Sequence, residues 1–266
     1  MKPVLQSCLP FAPWADPVAR KLPGVRPAEL ADWIVTDDAF AGQMRLRDDL
    51  IARRPQDVLR LDASARSAAE ELRDMAVEAL LAKPGYSRIG DVLHRPDGQD
   101  VDLADDDVMA TIGRLCQDDF CLLDLRGPEH VLCGAVLCFP ASWTLAQKFL
   151  RPLIGIHEPV ASYDPDIAKR VQRLFDAIRP DQVLWRANAL LYAEADLYQP
   201  RVEGEGRPRP GRDAPFVRSE RQSLRRLPKT GAVVFSIHTY VVRRESLTSA
   251  QEATLIEHLP GASLVP

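Results

Sequence analysis

The composition of this 266-residue chain is informative first for what it withholds. Its five cysteines are an odd number without a CxxC pair, which argues against a disulfide framework or a zinc knuckle and leaves the thiols as small buried hydrophobes. Cys133 and Cys138 have opposite parity along one apparent strand, so they point to opposite faces and cannot chelate together. No run approaches the roughly 18 uninterrupted apolar residues that a membrane span requires. The formal net charge of −4 offers no global attraction to nucleic acid or anionic lipid. The opening MKPVLQSCLPFAPW is broken by Pro3, Pro10 and Pro13, so it lacks the continuous apolar segment of a secretory signal, and Cys8 comes too early for a lipoprotein cleavage site. A cytoplasmic protein is expected. Repeats are absent, as are GxSxG, GxxxxGK[ST], HExxH and a GxGxxG following a strand.

What is present reads as an α+β protein. A hydrophobic content of 46% is ordinary for a packed globular core. From Pro27 to about Ala82 the pattern is helical: Pro27 suits a first helical position, Leu72, Met75, Ala76, Ala79 and Leu80 recur on one helical face, and Pro84-Gly85 ends the run. Asp105-Asp106-Asp107 lies in an acidic stretch without the ligand spacing of a calcium loop, and predicts a solvated loop and helix start. FCLLDLRG and HVLCGAVLCFP, separated at Gly127-Pro128, predict a β-hairpin whose second strand is covered on both faces.

Two helices are predicted over 143–151 and 165–178, the second burying Ile167, Val171, Leu174, Phe175 and Ile178. A strand begins at Val183. After a charged Gly/Pro-rich loop, RSERQSLRRLPKTGAVVFSIHTYVV carries the last strand, with Val233, Phe235, Ile237 and Val241 on the core-facing parity and Ser236, His238 and Tyr240 on the other. A helix from about Ser249 closes the chain. Strands and helices mix without a regular βαβ alternation, which favours α+β over a doubly wound sheet. The expected division is a helical N-terminal region, 1–97, and a core, 98–266, forming one compact unit.

Among the five histidines, His94 and His258 sit in turn-like or terminal polar contexts, and His130 opens a strand beside Glu129. His157, in GIHEPV, differs. Gly155 permits unusual backbone angles or close approach, while Pro159 biases Glu158 towards extended conformations, so the ring is held in a restrained loop. Such a mount suits an iron ligand, and equally a turn histidine bonded to a backbone carbonyl. Between Arg201 and Lys229 stand nine basic residues against four acids. Arg218, Arg221, Arg225 and Arg226 precede a buried strand, where a guanidinium requires a carboxylate or phosphate. An anionic ligand or an internal network with Glu220 satisfies that need, and Arg186 and Asn188 share one parity of the preceding strand. Nucleic acid fits badly because interleaved aromatics are missing.

Three segments, DWIVTDDAFAGQMRLRDDLI, LCFPASWTLAQKFLRPLIGIHEPV and RSERQSLRRLPKTGAVVFSIHTYVV, together resemble in order the haem-dependent oxidative N-demethylase α-subunit family. The resemblance implies haem b held in a PAS-like domain, an antiparallel sheet with flanking helices, behind a helical N-terminal region. It implies oxygen-dependent N-demethylation of a small methylated amine such as dimethylamine, with electrons from a separate flavin or iron–sulfur reductase. Formaldehyde would pass to a folate-binding partner subunit.

Carried over by residue, His157 is the axial iron ligand, and Arg218, Glu220 and Arg221 lie near haem or substrate. A guanidinium suits a propionate, and a carboxylate suits an ammonium. Arg186 and Arg225 join the cofactor set, Tyr240 is placed to hydrogen-bond bound oxygen or substrate, and Trp143 and Phe139 pack. His238 stands where the family more often has Arg, so His157 and His238 compete for the axial role; both cannot ligate if one axial position stays open. The alternative reading is a haem-PAS sensor or a small-ligand binding module without catalysis. No output domain is visible after the last strand, which favours the enzyme.

Overall fold

The computed structural model describes residues 3–20, 22–157, 165–206 and 210–258. In chain order its first elements are β1 (Arg26–Ala28), α1 (Phe40–Arg53), α2 (Pro55–Val58), β2 (Leu59–Leu61) and α3 (Arg66–Leu81). A small meander follows, β3 (Ser87–Ile89), β4 (Val92–His94) and β5 (Asp100–Asp102), and then α4 (Val108–Leu115). The hairpin β6 (Asp119–Arg126) and β7 (Glu129–Val136) precedes three helices, α5 (Leu145–Lys148), α6 (Leu153–His157) and α7 (Pro165–Ala177). The long strands β8 (Val183–Tyr192), β9 (Phe216–Arg226) and β10 (Val233–Arg243) and the helix α8 (Ser249–His258) complete the described chain.

Seven strands form one antiparallel sheet in the order β1-β8-β9-β10-β6-β7-β2, and β3-β4-β5 form a second. The fold is α+β. Gly127 takes a φ of 66° in the β6–β7 turn, a conformation an L side chain resists. Asp107 caps α4 by accepting a hydrogen bond from the Ala110 N–H at 3.0 Å, which gives the acidic run its structural use.

Two short strands arise inside the stretch that reads as helical. Pro27 lies in β1, opposite Leu184, rather than at the start of a helix. Proline has no N–H to donate, and the sheet edge is where that lack is tolerated. β2 pairs with β7 at the opposite edge, Leu59 facing Val136. These three-residue strands have no period of their own, and their extended state comes from the partner strand.

Residues directly opposite in an antiparallel ladder share a face, so the register sorts the sheet into two sides. One side carries Leu184, Leu224, Val233, Phe235, Ile237, Cys121 and Leu123, packed against Leu145, Leu153, Ile156, Leu174 and Phe175 of α5, α6 and α7. The other carries Phe120, Leu122 and Val234 under α1, α3 and α4, and Ala189, Val217 and Val242 under Leu9 and Trp14 near the N-terminus. Helices that precede the hairpin thus pack mainly on one face and those between β7 and β8 on the other, although Val241, on the face of the latter, joins the cluster of the former.

Both parities of β10 are buried: Val234, Ser236 and His238 have no exposed surface and Tyr240 retains 4%. The face expected to be the less apolar one is therefore an interior face too. Cys116, Cys121, Cys133 and Cys138 are buried and Cys8 is exposed. His130 is buried, with Nδ1 2.8 Å from Gln172 Nε2 of α7 and the ring 5.2 Å from that of Phe175, which fastens α7 to β7.

Candidate functional site: a polar cluster on the helix-covered face

On the sheet face that packs in part against α5–α7, polar side chains gather around Glu220. Glu220 on β9 lies opposite Asn188 on β8, whose Nδ2 donates to Glu220 Oε2 at 3.3 Å while its Oδ1 accepts the Glu220 backbone N–H at 3.1 Å. Gln222, two residues along and on the same face, donates from Nε2 to the same oxygen at 3.0 Å. Its Oε1 accepts from Arg186 Nη1 at 3.4 Å. Arg218 Nη2 lies 3.9 Å from Glu220 Oε1, within ion-pair range. Glu220, Arg218, Arg186, Asn188 and Gln222 are therefore one connected set.

The set is not fully satisfied. Arg218 is anchored by the carbonyls of Phe139 (2.6 Å) and Leu197 (2.9 Å), but Arg186 has only the long bond to Gln222, and its Nε has no partner among the described residues. Burial pushes the Arg186 guanidinium below the ordinary arginine value, against the pull of the Glu220 charge. Thr239, opposite Glu220 on β10, also has a buried hydroxyl without a partner among the described residues. Buried polar atoms left unpaired are expensive, and a ligand with matching acceptors relieves the cost.

The remaining sequence-derived residues point the other way. Arg221 lies opposite Ala187 and His238, and Arg225 opposite Val183 and Val234, so with Tyr240 they belong to the face covered by the N-terminal region. His238 is fully buried, with Nε2 2.9 Å from Asp37 Oδ2 and Nδ1 3.4 Å from Asp118 Oδ2. Burial by itself would lower its pKa. The bonds and charges of Asp118 and Asp37 outweigh that and raise it to about 9. Asp37 in turn is held below its usual range: burial would raise it, but the His238 bond and charge and the amides of Gln117 and Gln6 prevail. With both nitrogens engaged, this imidazolium has no lone pair free for iron. Arg225 stacks 4.5 Å above the Trp33 ring.

His157 closes α6, and its side chain lies outside the described residues, as do Glu158 and Pro159. Gly155 neither has a positive φ nor makes close contact, its nearest neighbour to a Cβ being Pro152 at 3.6 Å, so neither freedom expected of it is used. Instead α6 is tethered by Lys148, which donates to the Ile156 carbonyl at 2.6 Å and pairs with Glu203. The FPASW segment is fixed by Asp119, whose carboxylate accepts the N–H groups of Cys138 (2.7 Å) and Phe139 (2.8 Å) and pairs with Arg47 at 2.6 Å. Trp143 and Phe139 pack, Phe139 beneath the Arg47 guanidinium.

Gln222 was legible from alternation, since it lies two residues from Glu220. Thr239, Asp37 and Asp118 were not, because only register and long-range contact bring them in.

A model of one family, haem-dependent oxidative N-demethylase, alpha subunit-like, matches residues 24–263. The chain belongs to that family. No curated protein matches it. The residues of the glutamate face are chemically suited to the group named in the family description: Arg186 is a half-buried cation with an orphan N–H, and a haem propionate is an acceptor of opposite charge. Among the described residues no helix is long and apolar enough to cross a membrane.

Proposed function

We propose that this chain is the haem-binding subunit of an oxidative N-demethylase acting on a small methylated amine of the dimethylamine type. In a PAS-like domain, His157 and Arg186 are the residues that would hold haem b. His238, committed to two aspartates behind the sheet, does not compete for that role. The observation that carries the reading is the half-satisfied cluster of Glu220 and Arg186 on one face of the sheet, in a chain of a haem-dependent family.

When bound, haem supplies the activation of oxygen. The protein's own residues do the rest. Arg186 would hold a propionate, and Glu220 would accept an N–H from the substrate ammonium, its carboxylate aimed by Asn188 and Gln222. Arg218, tied to two backbone carbonyls, closes the wall beside Glu220. Phe235, Ile237 and Leu184, in the apolar cluster on the same face, would exclude water from the amine's methyl group.

In balance, one oxygen atom enters the methyl C–H bond and the carbon leaves as formaldehyde. The second atom leaves as water with two electrons and two protons. The electrons would come from a partner reductase carrying flavin or an iron–sulfur centre, consistent with a family described as alpha subunit-like. A folate-binding subunit would be the natural acceptor of formaldehyde.

The test is direct. Protein expressed with iron should show a ferric Soret band and, given dimethylamine and a competent reductase, should consume oxygen and release formaldehyde. Protein that takes up no haem would end the reading, and haem without turnover of any methylated amine would instead make the chain a sensor.

A further inference from the structure

The opposite side of the sheet holds a concavity of about 680 Å³, between the N-terminal segment, the β1 edge and the outer strands. Phe11, Trp185 and Tyr240 form its aromatic wall, with Phe11 and Tyr240 edge to face at 5.3 Å and Phe11 and Trp185 at 5.9 Å. Two of its polar groups are incompletely matched.

The first is Arg221, only 7% exposed. Its guanidinium donates to the carbonyls of Asp32 (2.7 Å) and Trp33 (3.3 Å) and lies 5.2 Å from the Trp185 ring centroid. Yet no carboxylate among the described residues reaches ion-pair distance of it. A buried cation served by carbonyl dipoles alone is short of a counter-charge. The second is Tyr240, 4% exposed, whose hydroxyl bonds to none of the described residues and is open to the cavity. Its ring is held by Phe11 and by His238 at 4.7 Å, which keeps the hydroxyl at the cavity wall. Glu29 and Asp32 also line the cavity and are exposed, as is the Lys83 ammonium's bond to the Ala31 carbonyl, so solvent screens these charges more than it does the buried guanidinium.

We propose that this cavity binds a small aromatic carboxylate, its ring against Phe11 and Trp185 and its carboxylate on Arg221 and the Tyr240 hydroxyl. The donors available are a cation and a phenol, which together suit an anionic acceptor. The aromatic wall suits a flat ring and gives an aliphatic acid no stacking partner. This site is independent of the haem reading. Glu220 and Arg221 are neighbours on β9 that face opposite sides of the sheet, so either site can be real without the other.

The experiment is isothermal titration of the full chain with 2-naphthoate and with the neutral isostere 2-naphthamide. The acid is expected to bind saturably and the amide about tenfold or more weaker, the ratio that loss of one charge-assisted hydrogen bond implies. Tyr240→Phe, which removes only the oxygen, and Arg221→Met should each weaken 2-naphthoate by about tenfold or more. Absence of saturable binding by 2-naphthoate, equal binding of acid and amide, or undiminished binding by Tyr240→Phe would overturn the proposal.

Discussion

Asn188 and Glu220 face each other across β8 and β9 and bond reciprocally, the amide donating to the carboxylate and accepting the glutamate's own backbone N–H. The side chain is thereby clamped to its strand partner, with Gln222 as a second donor. A carboxylate so fixed is a preorganised receptor for a cation.

Replacing that charge while keeping the shape isolates its role. Glu220→Gln should raise the KM for dimethylamine by about ten- to a hundredfold, as expected for a lost charge-assisted hydrogen bond, and should leave the Soret band in place. An unchanged KM would remove Glu220 from amine recognition.

The two histidines should separate cleanly. His157→Ala should abolish stoichiometric haem binding, whereas His238→Gln should retain haem at a lower melting temperature. Haem retained by His157→Ala with an unaltered spectrum would refute the ligand assignment.

His238 also predicts a pH dependence. Its folded pKa, about 9, lies above the ordinary 6.5, so its contribution to stability is complete below pH 6.5 and is lost as pH rises through 9. Asp37 shifts downward, so its contribution is present above its ordinary pKa of 3.8 and is lost as pH falls below it. Denaturant midpoints should decline across the alkaline window in the parent protein, and that decline should be absent in His238→Gln.

Arg47 and Asp119 form a buried pair at 2.6 Å with no exposed side-chain surface, joining α1 to the start of β6. Arg47→Met leaves the aspartate in the interior with only the two N–H groups of Cys138 and Phe139, and should cost about 3–5 kcal/mol in unfolding free energy. A loss within error of zero in denaturant titration would show that the carboxylate needs no cation.

Gly113 on α4 is a close-approach position: a Cβ there would meet Ile51 Cδ1 and Val136 Cγ2, both at 2.7 Å. Gly113→Ala gains about 1 kcal/mol of helix propensity, but crowding two core side chains costs about 1–3 kcal/mol. The expected net effect on the melting temperature is a decrease.

Alternation alone carried a large part of this reading. The hairpin at Gly127, the strand from Val183 and the pairing of polar residues at Arg186 with Asn188 follow from a period of two, because side chains of a strand must alternate whatever surrounds it. The same period already separates Glu220 from Arg221.

Which side is interior was a different matter, since both faces of β10 are buried and the hydropathy of Ser236, His238 and Tyr240 resembles that of an outward face. Burial there depends on Asp37 and Asp118, which lie 201 and 120 residues from His238 in the chain. Likewise β1 and β2 are extended only because β8 and β7 supply their hydrogen bonds. Local pattern determined the strands and the residue types they display. Register and the packing of distant segments decided which charges meet, because a neutralised imidazolium or a clamped carboxylate exists only once its remote partner has been brought within bonding distance.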